Sequence, residues 1–203
     1  MCSTQFPVSY MKAVSNFAAK GDVRYYINVV HLEIHPDMTI IVATDGVSLG
    51  SIAHETQNDV SEIVKVSIPI DVVKGVKVKK SEMKQNVEVV KVDDENWNLI
   101  FGGVSFEFNP LLCGTFPNWK RVFPSDVSGE SADLSVTEIE KFQKATKDLN
   151  AFSKSGQPLT KFHQNGSNDS TVVAIGHTPF AGLIMPMSKM DEYAIPAWIE
   201  RIK

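Results

Sequence analysis

The sequence predicts an α+β fold with helices packed on one face of antiparallel sheets, and three observations carry that expectation. Each helical period is followed by several short strand-like runs. Tight turn signals, Asp45-Gly46 and Gly102-Gly103 among them, join those runs. The helix-then-strands order recurs about three times along the chain, with little identity between the repeats.

The first helix is predicted over residues 8–19, where Tyr10, Met11, Val14, Phe17 and Ala18 recur at three- and four-residue spacing and Lys12, Ser15, Asn16 and Lys20 fall elsewhere. Gly21-Asp22 ends it. Strands are then expected at 23–34, 39–44 and 47–54, separated by His35-Pro36-Asp37 and by the Asp45-Gly46 hairpin signal. A second round reads as a strand at 62–68, a short helix at 70–76 and strands at 87–92, 97–101 and 104–108. Its turns are supplied by Asp93-Asp94-Glu95-Asn96 and Gly102-Gly103.

Phe116-Pro117-Asn118-Trp119-Lys120-Arg121-Val122-Phe123-Pro124 reads as a connector, and the polar segment after it, to Ala132, marks the best boundary. Two domains are therefore expected, 1–124 and 125–203. The second opens on Ser135-Val136-Thr137-Glu138, a capping box in which hydroxyl and carboxylate would satisfy opposing amides of a helix start. That helix should run to about Leu149, with Ile139, Phe142, Thr146 and Leu149 on its less polar stripe and Lys141, Lys144 and Lys147 on another side. Polar loops over 150–170 lead to strands at 171–175 and 180–185.

Composition narrows the function. Of 203 residues, 43% are hydrophobic and 22% charged, with no run long enough to span a bilayer. Met1-Cys2-Ser3-Thr4-Gln5 lacks a basic region followed by an apolar stretch, which points to a cytoplasmic protein without membrane partners. Cys2 and Cys113 form neither a disulfide framework nor a zinc site. The net charge of −4 opposes a uniformly basic nucleic-acid binder while leaving room for a basic stripe. His31, His35, His54, His163 and His177 fall in no HExxH spacing, and neither a GxSxG elbow nor a GxxxxGK[ST] loop is present. Asp93-Asp94-Glu95 reads as a hairpin turn rather than an acidic metal cluster. No catalytic constellation, metal site or cofactor is expected.

Three segments resemble one family. Asp22-Val23-Arg24-Tyr25-Tyr26-Ile27-Asn28 followed by Val42-Ala43-Thr44-Asp45-Gly46 is similar to the opening of the middle domain of the bacterial DNA polymerase III beta subunit, the sliding clamp. Residues 116–124 resemble the connector between that family's middle and last domains, and Leu183-Ile184-Met185-Pro186-Met187 resembles the last domain's ending. Residues 8–124 thus look like a middle domain and 130–188 like a contracted last domain. Nothing resembles the family's first domain, and a C-terminal extension from Met190 carries Tyr193, Ile195, Trp198 and Ile199, which could fold over a sheet edge.

The resemblance implies clamp-like units and a non-catalytic processivity or accessory factor. Its hydrophobic groove would take the clamp-binding peptides of DNA polymerase and repair proteins. By motif position the groove would comprise Ile27, Thr44, Gly46, Val47, Leu49, Pro117, Arg121, Val122, Leu183, Ile184, Met185, Pro186 and Met187, with Arg121 as polar rim. Val47-Ser48 stands where the family has His-Arg, and Ser188 where a basic residue follows, so the rim is less basic. Lys12, Lys20, Lys141, Lys144 and Lys147 are the candidates to face double-stranded DNA without reading its sequence. A homo-oligomeric ring is one expectation. The alternative is a clamp mimic that binds clamp-interacting proteins without encircling DNA.

Overall fold

A computed structural model describes residues 2–188. Its elements repeat as strand, helix and three strands. The first round is β1 (Ser3–Pro7), α1 (Val8–Ser15), β2 (Val29–Ile34), β3 (Met38–Thr44) and β4 (Ser48–Glu55). The second is β5 (Val64–Pro69), α2 (Ile70–Gly75), β6 (Asn86–Lys91), β7 (Trp97–Phe101) and β8 (Val104–Phe108). The third has no described leading strand: α3 (Val136–Asp148), β9 (Thr160–His163), β10 (Thr171–Ile175) and β11 (Phe180–Ile184).

The first two rounds exchange their leading strands. β1 pairs with β6, Phe6 opposite Val87, and β5 pairs with β2, Val30 opposite Ile68. One sheet therefore runs β1-β6-β7-β8 and the other β5-β2-β3-β4-β11-β10-β9, every pairing antiparallel. The third round joins through β11 on β4, so one sheet continues across the connector. At that seam Gly182 faces Gly50 and Leu183 faces Leu49.

The main core draws residues from both sheets and all three helices: Phe6, Met11, Phe17, Leu32, Ile52, Val73, Leu99 and Phe142 are all buried in it. The seam glycines matter here. A Cβ on Gly182 would lie 2.5 Å from the Phe142 ring, and one on Gly50 closer still to Phe17. Bare backbone at the seam thus lets Phe17, just after α1, and Phe142 of α3 meet edge to face, ring centroids 4.7 Å apart.

Several expectations change in detail. Helix α1 ends at Ser15, because Ser15 Oγ and Asn16 Nδ2 donate to the Lys12 carbonyl and divert the chain, although the apolar period continues through Phe17 and Ala18. The strand predicted from residue 23 starts at Val29, after a 3-10 turn at Tyr25–Ile27. The expected strand at 62–68 runs Val64–Pro69, and that at 180–185 ends at Ile184, leaving Met185 beyond it. The capping box does not form: Ser135 gives α3 only its carbonyl, and Glu138 turns to Lys141 instead. Strands β1 and β9 and the 3-10 turns at Pro110–Cys113 and Trp119–Val122 were not foreseen. The extension with Tyr193, Ile195, Trp198 and Ile199 lies outside the described residues. Among the described residues no helix is long and apolar enough to cross a membrane.

Candidate functional site

The outer face of the long sheet carries a second, smaller core. Val29 of β2, Val42 of β3, Leu49 of β4 and Leu183 of β11 point outward, and Cys113, Phe116 and half-buried Trp119 and Phe123 of the connecting segment cover them. Beside this cover an apolar groove of about 200 Å³ stays open.

Four segments build it. The β3–β4 turn is held by Asp45, whose Oδ1 accepts from the amides of Val47 (3.0 Å) and Ser48 (2.9 Å), and by Thr44, whose hydroxyl accepts from Gly46 N (3.0 Å). Gly46 sits at φ 93°, and a Cβ there would lie 2.9 Å from the Arg24 guanidinium. Arg24 is fixed by two bonds to Asp22, from Nε (3.0 Å) and Nη2 (2.8 Å), and Nη2 also donates to the Asp45 carbonyl (3.1 Å). The Arg24 hydrogen bonds hold the Asp22 carboxyl down at about 2. The end of β11 is pinned where Met185 N donates to Val47 O (2.9 Å), and the connector supplies the remaining wall.

Of the residues assigned to the groove by motif, Ile27, Thr44, Gly46, Val47, Leu49, Pro117, Val122, Leu183 and Met185 line it. The others do not. Strand alternation sends Ile184 into the main core, fully buried. Pro186 and Met187 run on past β11, with Met187 N bonded to Asp133 O, and Arg121 is exposed away from the groove. The 3-10 turn explains Arg121: at about three residues per turn, Trp119 and Val122 share a side and Arg121 does not. Arg24 takes the rim position, and Tyr26, Ser48, Asn118 and Trp119 complete the lining. The aromatic residues Tyr26 and Trp119 beside retained motif positions were the available signal for these.

The lysines divide. Lys20, Lys144 and Lys147 are exposed, as are Lys77, Lys80 and Lys84 around α2, which sequence reasoning missed. Two others point inward. Lys12 donates to the Val73 (3.1 Å) and Val76 (2.6 Å) carbonyls and so satisfies the C-terminal end of α2. Lys141, with its side chain 18% exposed, is bound by Asp45, by Glu138 (2.6 Å) and by the Ser48 hydroxyl (3.2 Å). Burial would depress its ammonium, but the Asp45 and Glu138 carboxylates hold it above its ordinary value. Lys141 is therefore a link between α3 and the groove turn, not a free cation for phosphate.

On the connector's other side lies a wider cavity of about 710 Å³. His31 stacks flat on Phe116 there, centroids 4.5 Å apart, and its Nδ1 meets Ser67 Oγ at 2.8 Å. Burial pushes His31 down to about 4. Beside it Glu33 accepts from Lys120 Nζ (2.7 Å) and Trp119 Nε1 (3.1 Å).

This architecture recurs in solved structures. The DNA polymerase III subunit beta of Pseudomonas aeruginosa superposes with a TM-score of 0.72 at 17% identity, over 92% of this chain and 66% of that one. The fold is that of the bacterial sliding clamp. The beta subunit of Thermotoga maritima agrees, with a TM-score of 0.69 at 12% identity over 94% of this chain and 66% of that one. In sequence, the beta sliding clamp of Treponema pallidum is 29% identical over 126 residues, 60% of this chain and 33% of that protein. The chain thus spans about two thirds of the clamp structures and matches about a third of the Treponema sequence. No protein-family model matches it.

Proposed function

We propose that the chain is a clamp-type accessory factor of DNA replication or repair, acting in the cytoplasm by capturing short peptides in the groove rather than by chemistry of its own. One observation carries the reading: segments far apart in sequence, at Ile27, Thr44–Leu49, Pro117–Val122 and Leu183–Met185, converge on a single apolar groove. A peptide's Leu and Phe side chains fit such a lining, Met185 supplies an adaptable contact, and Arg24 with the Asn118 amide gives polar anchors. Val47 in place of the family's basic residue makes this rim more apolar. Residues 1–124 would serve as the counterpart of the clamp's middle domain and 125–203 as part of its last.

The groove is tested by Met185→Glu, a change at a position 42% exposed that the fold should tolerate. Binding of a fluorescent peptide with a Gln followed by a Leu- and Phe-containing end is expected at micromolar or weaker affinity. The variant should lose at least about tenfold, or about 1.4 kcal/mol. Equal anisotropy titrations for parent and variant would remove the groove.

Duplex DNA is the second partner. Support comes from Lys20, Lys144 and Lys147, which remain exposed, with Lys144 and Lys147 on α3. The double variant Lys144→Glu/Lys147→Glu should bind duplex DNA more weakly, and its log–log salt slope should fall by about 2, since about 0.9 counterion is released per phosphate neutralised. An unchanged slope in a folded variant would make these lysines a merely solvated face. The sheets end in β1 and β8 and in β5 and β9, and of these edges β8 and β9 are the ones where further copies would pair into an oligomer, while a chain that stayed alone would act as a mimic competing for clamp partners.

A further inference from the structure

Glu33 lines the wide cavity and not the groove, yet it fastens the connector to the sheet by charged and polar bonds, beside the apolar packing of Phe116 and Trp119. Its side chain is 5% exposed, on the outward side of β2, and carboxylates are seldom found at such depth without strong partners. Two side chains donate hydrogen bonds to its oxygens, both from the connector and adjacent in sequence, Trp119 through its indole N–H and Lys120 through its ammonium, while His35 Nε2 stands off at 3.7 Å. Lys120 Nζ also lies 5.4 Å from the Trp119 ring centroid, so the two donors brace each other.

The geometry then reaches the groove directly. Pro117, Asn118 and Trp119 line both the wide cavity and the groove, as a partition between them. Trp119 and Val122 lie one 3-10 turn apart and face the groove together, so fixing the indole through Glu33 fixes the register of the whole wall. The backbone bonds at the two ends of this turn are long ones, Arg121 N to Asn118 O and Phe123 N to Lys120 O, each 3.4 Å. Ser170 Oγ donates to the Val122 carbonyl (2.9 Å) at the far end of the turn, and Glu33 holds its start through Trp119 and Lys120.

We propose that Glu33 is a positioning residue for the peptide groove, latching the connector through Trp119 and Lys120 so that Trp119 and Val122 stand as its wall. This rests on the groove reading above, and the latch has a readout that does not need a peptide. Hydrogen exchange at the Arg121 and Phe123 amides should quicken at least about tenfold in Glu33→Gln and in Lys120→Met, while the amides of β2 to β5 keep the parent's rates. Lys120 is largely exposed, so its variant folds even where a change at the buried Glu33 does not. Both variants should also bind the fluorescent peptide about tenfold more weakly. The double variant should be no worse than the poorer single one, because both remove the same link. Parental exchange rates at Arg121 and Phe123 in Lys120→Met would overturn the latch, as would losses in peptide affinity that simply add. If the parent binds no peptide, the groove reading fails, and the exchange rates alone decide the latch.

Discussion

Phe142→Ala is expected to cost about 3–5 kcal/mol, the usual loss for deleting a fully buried phenyl ring. In a chain of this size that corresponds to about 2–4 °C of melting temperature per kcal/mol. The reason lies at the seam. Phe142 meets Phe17, just after α1, at 4.7 Å, Phe180 of β11 at 6.1 Å and Phe162 of β9 at 6.2 Å, so one side chain touches the first round and two strands of the third. Gly182 beneath it cannot refill the space, because it carries no side chain. Urea titration of the variant measures the loss, and a change under about 1 kcal/mol would mean that the aromatic cluster does not hold the third round to the first.

Lys141→Met should cost about 3 kcal/mol, by leaving Asp45 and Glu138 mostly buried with no shared cation. The pH dependence follows from the signs. For Asp45, burial alone would raise the carboxyl, but the bonds from Lys141 and from the Ser48 and Val47 amides hold it below its ordinary value. A carboxyl lowered in the folded state contributes stability above its unfolded value and loses it as pH falls through the folded one. The deficit of Lys141→Met against the parent should therefore be full at neutral pH and shrink on acidification. A deficit constant down to pH 3 would show that lost packing of the lysine stem, not charge, dominates. Since Asp45 also shapes the Gly46–Ser48 turn, the same variant should loosen one wall of the groove.

The turns were legible in the sequence because their causes are local. Gly102 and Gly103 both take positive φ, Gly46 takes 93°, and Asp93 accepts from the amides of Glu95 and Asn96, each a property of a few consecutive residues. β1 was illegible for the opposite reason. Ser3-Thr4-Gln5-Phe6-Pro7 has one large apolar side chain and becomes a strand only because β6 stands beside it. β9 likewise owes its form to β10. For the site, the motifs brought most of the lining together, and geometry decided the remainder. A Lys repeat every three residues drifts by about 60° per step around an α-helix. Lys141 therefore ends on the inner side of α3 while Lys144 and Lys147 stay in water, which a count of spacings treats as one stripe.

The exchange of leading strands sets the order in which the chain can be completed during synthesis. β1 is made before β6, yet Phe6 finds its partner Val87 only 81 positions later. At about 5–20 residues per second, that leaves β1 waiting roughly 4–16 s with its backbone unpaired on the nascent chain. The seam is later still, since β4 receives β11 only after the connector, α3, β9 and β10 have been made. Pairings that distant in sequence are slow to close, because loop entropy is spent before any contact forms. A ribosome-bound intermediate stalled before residue 86 would therefore present β1 unpaired and β4 still without its partner β11, as a binding surface for chaperones.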